Sequence, residues 1–203
     1  MSQFGNDNDN VLNSGHTRED LFGSGGNDTL FGGGGDDILI GDLGNDIISG
    51  GDGNNTLRGD DGNDVIDGGS GRDFIIGGND DDTIYGGTGD DDVNGGNGND
   101  VGSGGAGNDR VTGYSGNDDL RGWKGDDDLL VKNGTNTLRG DDGDDDIRGG
   151  SGVDSIYGGN DDDTILGLQG ADDLNGGNGN DSISAGPGRM ISCSRRRAAA
   201  SGM

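Results

Sequence analysis

Most of what builds an ordinary domain is scarce in this chain. Only 25% of its 203 residues are apolar and 4% aromatic, too little to bury the core that a chain of this length would command. There is one cysteine, Cys193, so no intrachain disulfide can form, and no CxxC or Cys/His cluster points to zinc. The single histidine, His16, stands beside Arg18 and Glu19 in an irregular stretch and reads as a surface residue rather than a catalytic or zinc-binding one. Thirteen Lys and Arg face forty Asp and Glu, a net charge of −27, which leaves no basic face for nucleic-acid phosphates. No apolar run approaches membrane-spanning length, and Met1–Asp7 has neither a basic start nor an apolar stretch.

What the chain has instead is 51 glycines and those forty acids. Alone, that composition predicts disorder, because so little burial cannot offset the entropy of ordering so many glycines. The ordering energy must come from elsewhere, and carboxylate oxygens are ligands for hard cations.

The organisation is a period of nine. From Gly23 the chain divides into blocks such as GSGGNDTLF, GGGGDDILI, GDLGNDIIS and GGDGNNTLR, and eighteen blocks pass to Ser184 without an insertion or deletion. Three segments follow: decayed repeats or a cap over 1–22, where Leu12 and Leu21 keep the aliphatic position, the repeat array over 23–184, and a degenerate basic tail over 185–203. A longer period lies over the first. Residues 137–145 (TLRGDDGDD) copy 56–64 (TLRGDDGND), and 158–164 copy 77–83, an offset of 81 residues or nine blocks. A repeat array tolerates such duplication, because each unit contacts only its neighbours. Within a block the last three residues suit a short strand whose middle side chain faces inward. The first six, rich in glycine, suit a tight turn.

The blocks resemble GGxGxDxUx, the nonapeptide of the RTX (repeats-in-toxin) calcium-binding family, over about four fifths of the chain. The resemblance implies an all-β, right-handed parallel β-roll with two nonapeptides per 18-residue turn, so that blocks two apart stack. One aliphatic column is then Leu30, Ile48, Ile66, Ile84, Leu120, Leu138, Ile156 and Leu174. The facing one is Leu39, Leu57, Ile75, Val93, Val111, Leu129, Ile147, Ile165 and Ile183. Gly102 is the gap in these columns, and the roll is expected to be softest there.

Sixth positions stack likewise. One edge carries Asp28, Asp46, Asp64, Asp82, Asp100, Asp118, Asn136, Asp154 and Asp172, and the other Asp37, Asn55, Asp73, Asp91, Asp109, Asp127, Asp145, Asp163 and Asp181. At about the 4.8 Å strand spacing such a carboxylate ladder repels itself unless cations neutralise it. Calcium between successive turns, completed by turn carbonyls, fits this better than magnesium. Up to about sixteen ions, roughly +32, would offset the chain's charge. Asn55 and Asn136 keep an oxygen but lose the charge, and Asp80 and Asp161 stand where the fourth-position glycine is expected, straining their turns.

No constellation reads as catalytic: paired aspartates such as Asp81 and Asp82 are accounted for by cations and solvent. Trp123 and Lys124 read as exposed substitutions in a turn. Outward positions such as Thr29, Ile47, Val65 and Thr83 form no regular threonine ladder, which argues against ice binding. Ile38, Ile40, Phe74 and Ile76 cluster outward, either from strand propensity or as a docking face for a partner or an absent domain. The expected protein is a secreted, non-enzymatic module that folds on binding several calcium ions. The alternative is the C-terminal part of a larger secreted enzyme, toxin or adhesin. Secretion is implied by the resemblance alone, since the tail AGPGRMISCSRRRAAASGM does not look like an export signal. That tail, with Arg195, Arg196 and Arg197 in an acidic protein, reads as a terminal cap or as the product of a shifted reading frame.

Overall fold

A computed structural model describes residues 2–187 and 192–195. The described residues form strands and turns only, arranged as a solenoid of about ten turns in two parallel sheets of 13 and 11 strands. Each strand pairs with the one 18 residues on: Ile48 lies beside Ile66, Ile66 beside Ile84, and Leu57 beside Ile75. The eighth-position aliphatics therefore stack into two facing columns, and Leu21 through Leu174 are 0–1% exposed. Leu21 carries the column upstream of residue 23, while Leu12 and Ile183 are partly buried near its two ends.

Most strands are six residues long rather than the three expected, as in Ile47–Asp52 and Val65–Ser70. The extra three are the first three residues of the next block. The strand can continue because its first-position glycine also faces inward, where a side chain would not fit. A Cβ on Gly86 would lie 2.5 Å from the Gly104 carbonyl oxygen and 2.7 Å from Asp91 Oδ2. Second and fourth positions adopt the left-handed backbone that glycine allows, for example Gly51 (φ 93°) and Gly53 (φ 117°). Asp80 (φ 74°) and Asp161 (φ 76°) adopt it without glycine, and so do Trp123 (φ 83°) and Leu168 (φ 67°) in second positions, a costly geometry for bulky residues.

At Gly102 the missing side chain leaves little void, because Leu120 Cδ2 and Val111 Cγ1 come within 2.9 and 3.2 Å of where its Cβ would sit. A larger disturbance lies at Val131, the one non-glycine at the first position among the eighteen blocks. It is 1% exposed, its strand Asp128–Gly134 is seven residues long, and the register shifts against the preceding strand. Of the tail beyond Ser184, residues 188–191 and 196–203 lie outside the described residues. Ser192–Arg195 pair with Asp173–Gly177, placing Cys193 beside Leu174 at a spacing of 19 instead of 18.

Candidate metal centre

The sixth residue ends each turn just before the aliphatic that anchors the next strand, and this places its side chain under the turn rather than in solvent. All eighteen sixth positions fall on the two edges in the expected order. Seventeen, from Asp28 to Asp172, are 0–3% exposed, and Asp181 is half-buried.

Each of these side chains uses one oxygen to tie two turns together. Oδ1 of Asp46 accepts from the backbone N–H of Asp28 at 2.7 Å, Oδ1 of Asp64 from that of Asp46 at 2.8 Å, and Oδ1 of Asp82 from that of Asp64 at 2.9 Å. The series runs down both edges to Asp181, which accepts from Asp163 at 3.3 Å. The second oxygen has no hydrogen-bond partner in any of the fifteen buried aspartates. Leaving one buried acceptor unmatched costs about 1–3 kcal/mol, more when it is charged. Fifteen such oxygens in fixed register along two edges are a repeated feature of the fold rather than a local fault, and a bound cation would satisfy them.

The polar groups facing these oxygens are themselves acceptors. The space a Cβ of Gly86 would fill is bounded by Asp91 Oδ2 and the Gly104 carbonyl of the next turn. Gly77 stands in the same relation to Asp82 and Gly95. Two acceptors facing one point can be bridged by a cation or by a hydrogen-bond donor, and a charged carboxylate favours the cation. Among the described residues no three His, Cys, Asp or Glu side chains gather as a metal cluster, so a cation here would draw on main-chain carbonyls as well as carboxylates, the mixture a hard ion such as calcium accepts.

Burial also pushes the carboxyls up. Loss of hydration dominates, the cross-turn N–H bond opposes it, and neighbouring aspartates add to it. Asp82 is raised to about 8, Asp64, Asp91, Asp127, Asp145 and Asp163 to about 7, and Asp46, Asp100, Asp109 and Asp154 to about 6. Burial thus opposes the charged form of these carboxyls, and a cation beside them would oppose that shift.

The repeat model of the RTX calcium-binding nonapeptide, which spans four copies, matches residues 17–48, 40–75, 67–102, 94–129, 131–165 and 157–189, well over half of the chain. The chain belongs to the RTX calcium-binding nonapeptide repeat family. It matches no curated protein. RTX repeats bind calcium, and the unmatched oxygens along both edges suit that ion.

A second ladder, at the fifth position of the RTX repeat, was not anticipated. There the bond runs the other way: Oδ1 of Asn27 accepts from the N–H of Asn45, Asn45 from Asn63, and Asn63 from Asp81, each at 2.8–2.9 Å. On the other edge Asp126, Asp144 and Asp162 continue the pattern. The signal was the frequency of Asn and Asp at a position that the motif leaves free. Arg72, Thr135, Val153 and Ala171 occupy it without an Asx side chain.

The other residues singled out lie away from the edges. His16 is exposed. Trp123 is 44% exposed, with the Arg121 guanidinium 3.6 Å over its ring. Ile38, Ile40, Phe74 and Ile76 share the outer face of the 13-stranded sheet, with Thr56 and Arg58 between them. Phe22, stacked on Phe4 at 5.0 Å, lies beside Ile40.

Proposed function

We propose that the sixth-position aspartates from Asp28 to Asp181 each offer one carboxylate oxygen to calcium held between turns. On this reading the chain is a secreted, non-catalytic module that folds as up to about sixteen ions bind. The observation that carries it is the column of buried, unpartnered Oδ2 atoms along each edge. Calcium removes three penalties together: the unmatched acceptors, the repulsion between stacked carboxylates, and the net charge of −27. Without it the thin aliphatic core is too small to hold the glycine-rich turns, so the chain stays expanded. Extracellular calcium modules fill at roughly 10⁻⁴ to 10⁻³ M, far above cytosolic calcium, and the chain would therefore fold after export.

Calcium titration at neutral pH, followed by far-ultraviolet circular dichroism and small-angle scattering, tests this. The expected result is an expanded chain in chelator that becomes compact and β-rich cooperatively with calcium and not with magnesium. A compact, β-rich chain in excess chelator at neutral pH would overturn it. A second reading, the C-terminal module of a larger secreted enzyme, toxin or adhesin, draws on the outward apolar side chains Phe22, Ile38, Ile40, Phe74 and Ile76.

A further inference from the structure

Fifteen of the seventeen buried sixth positions are aspartates with an unmatched Oδ2, and the other two, Asn55 and Asn136, have no unmatched atom. We infer that at each asparagine the hydrogen bonds donated by the side-chain amide do the work that a cation does in the aspartate turns, so that these two junctions close without metal. The inference rests on the calcium reading above and adds which positions are excluded from it.

The ladder fixes which way each amide points. Asn55 Oδ1 accepts from the backbone N–H of Asp37 at 3.0 Å, and Asn136 Oδ1 from that of Asp118 at 2.8 Å, the bond every aspartate in the series makes. With the oxygen committed, Nδ2 must stand where the aspartates hold Oδ2. An amide nitrogen donates where a carboxylate oxygen can only accept. Asn55 Nδ2 donates to the carbonyls of Gly53 at 3.3 Å and Gly68 at 3.5 Å. Gly68 here is the counterpart of Gly104, the carbonyl that faces Asp91 Oδ2 across one turn. An acceptor facing an acceptor has become a donor facing an acceptor, and no cation is needed between them. At the second position Asn136 Nδ2 donates to Asp154 Oδ1 at 2.9 Å and to the Asn133 carbonyl at 3.5 Å. One N–H group thus meets the neighbouring carboxylate directly.

Asn55 and Asn136 are 81 residues apart, the duplication offset, so each copy carries one such junction. Each divides the ladder of its own edge: Asp28 to Asp118 from Asp154 and Asp172 on one, Asp37 from Asp73 to Asp181 on the other.

The test is calcium stoichiometry at saturation, measured by native mass spectrometry on the full chain and on Asn55→Asp, Asn136→Asp, the double variant and Asp64→Asn. Each asparagine-to-aspartate change is expected to add one bound ion, the double variant two, and Asp64→Asn to remove one while the chain still folds. Unchanged stoichiometry in Asn55→Asp and Asn136→Asp, beside a wild-type chain that does bind calcium, would overturn this inference and leave the calcium reading standing. A wild-type chain that binds no calcium would overturn both. Should the aspartate variants fail to fold, Asp64→Asn decides: no loss of an ion counts against the amide's role.

Discussion

Residues 47–94 and 128–175, equivalent at the 81-residue offset of the duplication, share most of their sequence and differ in regularity. In the first, the strands Ile47–Asp52, Thr56–Asp61, Val65–Ser70 and Phe74–Asn79 are all six residues long. In the second, the strand through Val131 bulges, and its neighbour is split into Asp146–Arg148 and Ser151–Gly152. One turn further it is Thr164–Leu166 and Gln169–Gly170, with Leu168 in the left-handed region. The first copy has Gly50 where the second has Val131, and Gly87 where the second has Leu168. A side chain at the first position is thus absorbed by interrupting pairing in the turns that follow, and the columns of Leu138, Ile147 and Ile156 stay buried regardless. The glycines set strand continuity, and the aliphatics hold the roll.

The most damaging way to break this comparison is to give the regular copy the irregular copy's defect beside an aspartate. Gly86→Val would drive a side chain into Asp91 Oδ2 and the Gly104 carbonyl. Overpacking of this kind costs about 1–3 kcal/mol. The calcium midpoint for folding should rise by about tenfold, which is about 1.4 kcal/mol. Gly50→Val, beside Asn55, should cost less and reproduce the second copy's bulge. Circular dichroism titrations check both, and midpoints within twofold of wild type would contradict the role assigned to the first-position glycine.

Acid should act on both copies together. Asp46 at about 6, Asp64 at about 7 and Asp82 at about 8 all lie above the ordinary value of 3.8. A carboxyl raised in this way binds its proton more tightly folded than unfolded. For the metal-free chain that stability is therefore fully present below about pH 4 and is lost as pH rises through those values. In chelator, lowering pH from about 8 to about 5 should bring in β signal without calcium. A flat response would show that the carboxylate ladder is not what opposes folding.

Among single carboxylate changes, Asp91→Ala should shift the calcium midpoint more than Asn55→Ala. It removes a ligand from an uninterrupted run, whereas Asn55 carries no charge to lose. Equal midpoints would contradict the stacked assignment. The smallest effect sharpens the comparison at Leu168, which is 39% exposed and so gives up little burial. Leu168→Gly should stabilise the calcium-loaded roll by about 1 kcal/mol through release of left-handed strain, read as a higher melting temperature. A lower one would mean that Leu168 packs more than it strains.

Much of this was legible because the repeat never loses phase. Position eight of each block had to share an environment with its counterparts, and so did position six, so both aliphatic columns and both carboxylate edges could be written down residue by residue. What the period could not convey was direction. Asp28 and Asn27 look alike in the sequence, yet the Asp28 side chain accepts from the preceding turn and the Asn27 side chain from the following one. Strand length was misjudged because a glycine reads as turn, although Gly86 and its counterparts lie inside strands, facing the core. The consequence of Val131 was hidden as well: a substitution shows its position in the repeat, not how far the pairing around it must adjust.

The duplicated unit holds nine blocks, an odd number, and each turn uses two. The copies are therefore four and a half turns apart, and equivalent residues emerge on opposite sides of the solenoid. Arg58 lies in the 13-stranded sheet and its copy Arg139 in the 11-stranded one. The Asn79 to Asp61 hydrogen bond of the first sheet reappears as Asn160 to Asp142 in the second. The two copies are thus related by a half rotation and a rise of about 22 Å along the axis, from the strand spacing. An even number of blocks would have extended one face into a longer strip. With an odd number the duplicated surfaces look outward in opposite directions, so no single flat surface can meet both copies at once.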